Sequence, residues 1–256
     1  MQYIKNFLYN QNSEKEQIKS NNNFDENLNK VLIDIKEEKY LNNLSKNKIG
    51  LENSGGSCYM ASIIQILIHL EKFLKEFFKP RSIVKNSLTY IFYKFINQIA
   101  NSSFGSVKIK NFAKEYNKIN YKFNGKEGNN PMTFFNEFIK KLGEENNGNI
   151  VNLFTGKKNI IFIGMSDCDY EEEFIFHLIY LDENNISIKK ALYQEKAFED
   201  DENIKLKEEI IVKPEIFVIN LEIEEIEYNF EEEINVYGAN YQLKAINRYN
   251  DFHSTA

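Results

Sequence analysis

Apolar residues recur at helical spacing through the part of the chain that begins near residue 57. They stand three or four positions apart from Met60 to Phe78, and Pro80 ends the run. A further predicted helix starts at Pro131, with Asn130 in the N-cap position and Pro131 in the first helical position. The other predicted helices cover 82–100 and 108–118.

After about residue 158 the pattern changes to short, mostly apolar runs that are typical of strands. These runs are Asn159–Ile163, Glu173–Leu181, Glu215–Ile223 and Tyr241–Arg248. Helices first and strands second predict an α+β fold, in which a helical part is followed by a sheet.

Residues 1–47 are rich in Asn, Lys, Glu and Ser. This composition predicts a loosely ordered N-terminal extension, with a short helix near 26–41 as its one regular element. We therefore place the start of the folded domain at residue 48.

Composition excludes several classes of protein. The 256 residues are 42% hydrophobic with three Pro and eleven Gly, which excludes a wholly disordered or collagen-like chain. Charges interrupt every apolar stretch before 18 residues, so we expect no membrane span and no membrane partner. Two cysteines support neither a disulfide framework nor a four-thiolate zinc site, which favours a reducing compartment, cytoplasmic or nuclear.

Charge is distributed unevenly along the chain. Residues 1–164 carry 24 Lys and Arg against 15 Asp and Glu, whereas residues 165–235 carry 6 against 22. The acidic part argues against a nucleic-acid partner and favours a basic peptide or protein. A solvated acidic face explains the same charges and stays open.

The segment 50–62 carries the clearest chemistry, because a Gly, Ser and Asn loop leads directly into a helix with Cys58 at the junction. The first turn of a helix offers unpaired N–H groups and positive potential, which favour the thiolate that acts as nucleophile. Asn53 lies five residues upstream and is a candidate amide donor to an oxyanion. A small buried cysteine near a helix start remains the alternative.

A cysteine nucleophile needs a base, and the chain has three histidines. His69 follows Cys58 by eleven residues, about 16 Å along a helix axis, and is therefore out of reach. His177 lies within a strand pattern, which favours packing or a surface position. His253 follows a strand and a short polar turn, so it is the best remaining candidate.

Four segments resemble the sequence boxes of the ubiquitin-specific proteases, a family of papain-like deubiquitinases. Gly50–Gln65 resembles the cysteine box and Tyr241–Ala256 the histidine box. Between them, Asn130–Phe138 is similar to the family's helix box and Lys213–Leu221 to one of its strands. The four occur in family order over about 50–256.

The resemblance implies a papain-like cysteine protease fold, with a helical thumb over about 48–157 and a β-rich palm and fingers over about 158–256. It implies that Cys58 is the nucleophile, His253 the general base and Asn53 the oxyanion donor. The implied partner is ubiquitin or ubiquitinated proteins, and the implied reaction forms a thioester at ubiquitin's terminal glycine and needs no cofactor.

Several positions depart from the family pattern. Phe252 and Ser254 stand where the family places Gly and Tyr beside its histidine, and Phe134 replaces a usual glutamate. The paired Cys-x-x-Cys ligands are absent, so we expect shortened, zinc-free fingers with Cys168 as their trace. No residue matches the third catalytic residue, and the family's C-terminal strands have no counterpart, which predicts an unpaired edge in the palm sheet.

Two functions therefore stay open at the level of sequence. The first is a thiol-dependent deubiquitinase that acts through Cys58. The alternative is a catalytically weak or inactive relative that binds ubiquitin or a partner without cleaving it.

Overall fold

The chain is described by a computed structural model. It describes residues 2–10, 30–32, 49–53, 55–79, 82–103, 105–125, 127–164, 168–181, 187–198, 201–223, 228, 230–250 and 253–255. For the strands at 2–10, 30–32, 196–198 and 253–255, the description covers the backbone alone.

Two compact units make up the molecule. We call residues 14–150 with 252–256 the helical unit, and residues 1–13 with 151–251 the sheet unit. The helices of the described residues are α1 (Cys58–Leu67), α2 (Glu71–Phe77), α3 (Leu88–Ala100), α4 (Lys110–Asn117), α5 (Pro131–Glu145), α6 (Asn149–Asn152) and α7 (Ile188–Tyr193).

The strands divide between the two units. Those of the helical unit are β2 (Lys30–Leu32), β3 (Gly50–Glu52), β4 (Ser82–Val84), β5 (Ser106–Lys108) and β14 (His253–Thr255). Those of the sheet unit are β1 (Gln2–Asn10), β6 (Gly156–Ile163), β7 (Tyr170–Phe174), β8 (His177–Leu181), β9 (Lys196–Phe198), β10 (Asp201–Val212), β11 (Ile216–Ile223), β12 (Glu233–Val236) and β13 (Ala239–Asn250).

Aromatic side chains fill the core of the helical unit. Helix α5 packs against α1 and α3, and its buried face meets the rings of the other helices. Phe92 lies 5.1 Å from both Phe77 and Phe138, centroid to centroid, in edge-to-face geometry. Such offset contacts add to the free energy gained from area burial alone.

The sheet unit contains two sheets. The larger one has the order β12-β13-β1-β11-β8, antiparallel except for the parallel pair β11 and β8. Its core is mainly aliphatic, with Ile179, Ile219 and Leu221 almost fully buried. The smaller sheet has the order β7-β6-β10-β9.

The N-terminal segment differs from the sequence-based expectation. Gln2–Asn10 is a strand in the middle of the larger sheet, paired with β11 on one side and β13 on the other. Strand β13 is therefore paired along both sides, with β1 and β12. The prediction of a loosely ordered extension is therefore wrong for these nine residues.

The expected helix near 26–41 falls largely outside the described residues. Its described part, Lys30–Leu32, is a strand that pairs antiparallel with Ser82–Val84, so the helix prediction is wrong there.

Two predicted elements are each divided in the structure. The single helical run from Met60 to Phe78 breaks at Leu70, whose φ of −86° and ψ of 98° are extended. Glu173–Leu181 is split between β7 and β8, which belong to different sheets. In both cases the apolar spacing continues across the turn, so periodicity alone could not locate it.

Candidate active site

The candidate nucleophile opens the central helix of the helical unit. Strand β3 pairs in parallel with β5, and the loop that follows it carries Asn53 and Gly55 before α1 begins at Cys58. Gln65 Nε2 donates a hydrogen bond of 3.1 Å to the Ile49 carbonyl oxygen. This bond ties the middle of α1 to the start of β3 and fixes both ends of the loop.

Backbone from the 118–130 connection packs directly on this loop. Gly125 has a φ of +69°, and a Cβ at that position would lie 2.9 Å from Ala113 Cβ and 3.4 Å from Ser57 Cβ. Gly55 also has positive φ, +74°, beside the carbonyl oxygen of Gly125. Glycine is needed at position 125 for both its conformation and its space.

Cys58 and Asn53 differ in exposure. Cys58 is 7% exposed, whereas Asn53 is an exposed residue at the end of β3. Ser57 lies between them in the chain, is 1% exposed, and donates a hydrogen bond of 2.9 Å from Oγ to Asn53 Oδ1.

The residue after the cysteine anchors the junction in the core. The ring of Tyr59 is fully buried and lies 5.6 Å from Phe134 and 6.0 Å from Phe123. Burial raises the pKa of the Tyr59 hydroxyl to about 12, and the neighbouring Cys58 adds to the rise. Tyr59 therefore stays protonated at neutral pH and serves as packing rather than as an acid or base.

The three histidines occupy different surroundings. His69 is exposed beyond the end of α1, with Nδ1 2.7 Å from the Gln65 carbonyl oxygen. His177 is 3% exposed in β8 of the sheet unit, with its ring against Phe174 and Phe217. Of the packing and surface positions expected for His177, the structure shows the packing one.

The strand of His253 lies beside the nucleophile helix. Strand β14 packs against α1, and both belong to the helical unit. The fold thus brings the backbone of His253 to the helix that Cys58 opens, although the two lie almost 200 positions apart in the sequence. The imidazole itself lies outside the described residues.

The described part of the chain offers neither a metal site nor a membrane-spanning helix. Within it, no group of three or more His, Cys, Asp and Glu side chains is arranged to hold a metal ion. Among the helices described there, none combines the length and apolar character needed to cross a bilayer.

A helical unit that presents a cysteine at a helix start, joined to a β-rich unit, defines the papain-like class of fold. The family model of ubiquitin carboxyl-terminal hydrolase matches residues 49–248, and the chain belongs to that family. The matched region includes Asn53 and Cys58 and ends five residues before His253.

Solved structures with the same fold are DUB modules. The SAGA Ubp8/Sgf11/Sus1/Sgf73 DUB module bound to ubiquitin aldehyde is 17% identical, with a TM-score of 0.53 over 76% of this chain and 49% of that chain. The same module with a Ubp8 variant, bound to monoubiquitin, is 16% identical, with a TM-score of 0.55 over 80% and 51%.

The chain spans about half the length of the solved structures that it matches. No curated protein sequence matches it. At these identities the likeness shows the fold, and it confirms the expected papain-like α+β architecture.

Proposed function

We propose that the chain is a thiol-dependent deubiquitinase, which hydrolyses the peptide or isopeptide bond after the C-terminal glycine of ubiquitin. The main support is the junction at which Cys58 opens α1 and the preceding Ser57 is hydrogen-bonded to Asn53, inside the region that matches the ubiquitin carboxyl-terminal hydrolase family. Two solved structures of this fold hold ubiquitin aldehyde and monoubiquitin, which supports ubiquitin as the partner.

In the proposed reaction, His253 takes the proton of Cys58, and the sulfur attacks the carbonyl carbon of the terminal glycine. The amide of Asn53 donates a hydrogen bond to the oxyanion. The C–N bond then breaks, and the imidazolium returns the proton to the leaving amine, which leaves a thioester on Cys58.

Water completes the proposed cycle. His253 takes a proton from a water molecule that attacks the thioester carbonyl, and the C–S bond breaks. The imidazolium returns its proton to the Cys58 sulfur, and the new carboxylic acid of ubiquitin loses its proton to solvent. The products are the carboxylate of ubiquitin and the restored Cys58 thiol, and the reaction balances without a cofactor.

Charge on the sheet unit supports a basic tail as substrate. Residues 165–235 carry 6 Lys against 22 Asp and Glu, and Glu171–Glu173 of β7 are exposed, with Glu171 and Glu172 paired to Lys157 and Lys158 of β6. The excess of acidic residues favours a partner segment rich in Arg and raises its association rate. Cytoplasmic or nuclear compartments, where ubiquitin conjugates occur, remain the expected location.

The burial of Cys58 favours a second candidate function. Cys58 is 7% exposed as a residue, and Phe252 and Ser254 depart from the family's histidine box. A module that binds ubiquitin or a partner without turnover would have these properties.

Reaction with ubiquitin that carries a C-terminal electrophile separates the two candidates. We expect a covalent adduct with the unmodified chain that Cys58→Ala abolishes. Cys168→Ala is the matched control, because it removes the other cysteine of the chain and leaves the junction intact. We expect it to form the adduct normally.

The base is tested by His253→Ala in the hydrolysis of a fluorogenic ubiquitin amide. Loss of a general base lowers kcat by about 10²- to 10⁴-fold. Saturable binding of ubiquitin by the unmodified chain without any adduct would refute the hydrolase and support the binding module.

A further inference from the structure

Ser57 stands at the N-cap of α1 but does not cap the helix. Serine is favoured at this position because its oxygen accepts a hydrogen bond from an N–H of the first turn. Ser57 makes no such bond, and its φ of −98° and ψ of 11° lie outside the extended region that capping residues adopt.

Other polar N-caps of the described residues behave as expected. Ser87 Oγ accepts from the Tyr90 N–H, and Ser187 Oγ accepts from the Lys190 N–H. Asn130 Oδ1 accepts from the N–H of Met132 at 2.8 Å. Ser57 thus forgoes a bond worth about 1 kcal/mol at the one helix start that carries the candidate nucleophile.

The hydroxyl of Ser57 is turned toward Asn53 instead. Its Oγ donates to Asn53 Oδ1 at 2.9 Å. The Ser57 side chain is closely enclosed, because it is 1% exposed and Gly125 lies next to its Cβ. A fixed, buried donor therefore holds one end of an exposed amide.

Fixing the direction of an amide oxygen also fixes the direction of the NH₂ group on the same carbon. The side chain of Asn carries an acceptor oxygen and a donor NH₂ group on opposite sides of one carbon. With Oδ1 of Asn53 directed to Ser57, the NH₂ group of Asn53 points away from Ser57. Without Ser57 the exposed amide would rotate between orientations, of which only some aim a donor at a reacting carbonyl.

We propose that Ser57 is a positioning residue, which holds the amide of Asn53 in the orientation needed for its donation to the oxyanion. This inference rests on the proposed function, and it assigns Ser57 a role in preorganisation rather than contact with substrate. Preorganised donors matter because they need no reorientation during the reaction. Local rules such as helix capping are broken most often at functional sites.

A double-mutant cycle tests the proposal through the kinetics of fluorogenic ubiquitin hydrolysis. Loss of an oxyanion donor in Asn53→Ala lowers kcat by about 10²- to 10³-fold. We expect Ser57→Ala to lower kcat by about tenfold with KM unchanged, as for loss of one neutral hydrogen bond. In the Asn53→Ala background, Ser57→Ala then has no further effect on kcat, because the amide that Ser57 orients is gone.

Ser87→Ala is the matched control for helix capping. It removes a real cap from α3, so it lowers the melting temperature, and we expect kcat to stay unchanged. Equal losses of kcat from Ser57→Ala with and without the Asn53 amide would overturn the proposal, since they would mean that Ser57 acts independently.

A second readout does not depend on turnover. The side-chain NH₂ resonances of Asn53, identified by their absence in Asn53→Ala, should shift in a ¹⁵N correlation spectrum of Ser57→Ala and not of Ser87→Ala. Unchanged Asn53 resonances in Ser57→Ala would refute the positioning role. If the unmodified chain shows no hydrolysis, the proposed function fails, and the spectrum still decides whether Ser57 holds the amide.

Discussion

The helical unit and the sheet unit are built from contacts of very different range. In the helical unit, rings between Phe73 and Phe138 form one cluster, so the core is supplied by neighbouring segments of the chain. In the sheet unit, Tyr3 pairs with Tyr249. Long-range pairing carries a larger loop-closure cost and forms slowly, whereas local helices form readily.

The largest expected effect concerns β1. Deletion of residues 1–13 removes the central strand and exposes the ladder edges of both β11 and β13. We expect the sheet unit to lose protection against hydrogen–deuterium exchange throughout β11 and β13, and the chain to aggregate through the exposed edges.

A single substitution in β1 tests the same strand pairing with a smaller change than the deletion. Asn6 faces Ile219 on one side and Ile246 on the other. Asn6→Pro removes the N–H of a central strand, which sheets do not tolerate, while Asn6→Ala keeps it. We expect Asn6→Pro to have a much lower melting temperature than Asn6→Ala. Equal melting temperatures would mean that β1 is not a central strand in solution.

The second-largest expected effect comes from removing a buried aromatic ring from the helical unit. Phe92 is fully buried among Phe77, Phe112 and Phe138. Phe92→Ala should lower the free energy of unfolding by about 3–5 kcal/mol, and Phe92→Leu by less than about 1.5 kcal/mol. Denaturant unfolding measures both, and equal losses in the two variants would contradict the packing described.

The smallest expected effect comes from removing a carboxylate that links two helices by hydrogen bonds. Glu145, at the end of α5, accepts hydrogen bonds from the Leu88 N–H at 3.0 Å and the Thr89 N–H at 2.7 Å, at the start of α3. Glu145→Ala leaves these donors unsatisfied and should cost about 1–3 kcal/mol in denaturant unfolding.

Glu115 provides the control, because its contact with Lys118 is exposed. Glu115→Ala should leave the unfolding midpoint unchanged. If Glu115→Ala lowered the free energy of unfolding as much as Glu145→Ala, surface charge would stabilise this unit rather than the hydrogen bonds to the first N–H groups of α3.

The same contrast explains what the sequence could reveal about the fold. Asn130 and Pro131 marked the start of α5 correctly, because caps act on residues one turn away. The strand at Gln2–Asn10 was missed, because its pairing partners lie more than 200 residues further along the chain.

In the candidate site, too, local features could be predicted from the sequence and long-range placements could not. Cys58 and Asn53 could be singled out because a loop leading into a helix is a local pattern. The placement of β14 against α1 could not be derived, since it depends on the whole intervening chain. Ser57 was hidden for another reason: in sequence it looks like an ordinary N-cap, and only the direction of its hydroxyl shows otherwise.

The central position of β1 also affects how the chain folds during synthesis. The strand leaves the ribosome before the other strands of its sheet, and its partner β13 is made more than 200 residues later. At about 5–20 residues per second, β1 waits roughly 10–40 s for that partner. Residues 14–150 of the helical unit have by then been synthesised, so β1 is translated early and pairs with β13 late.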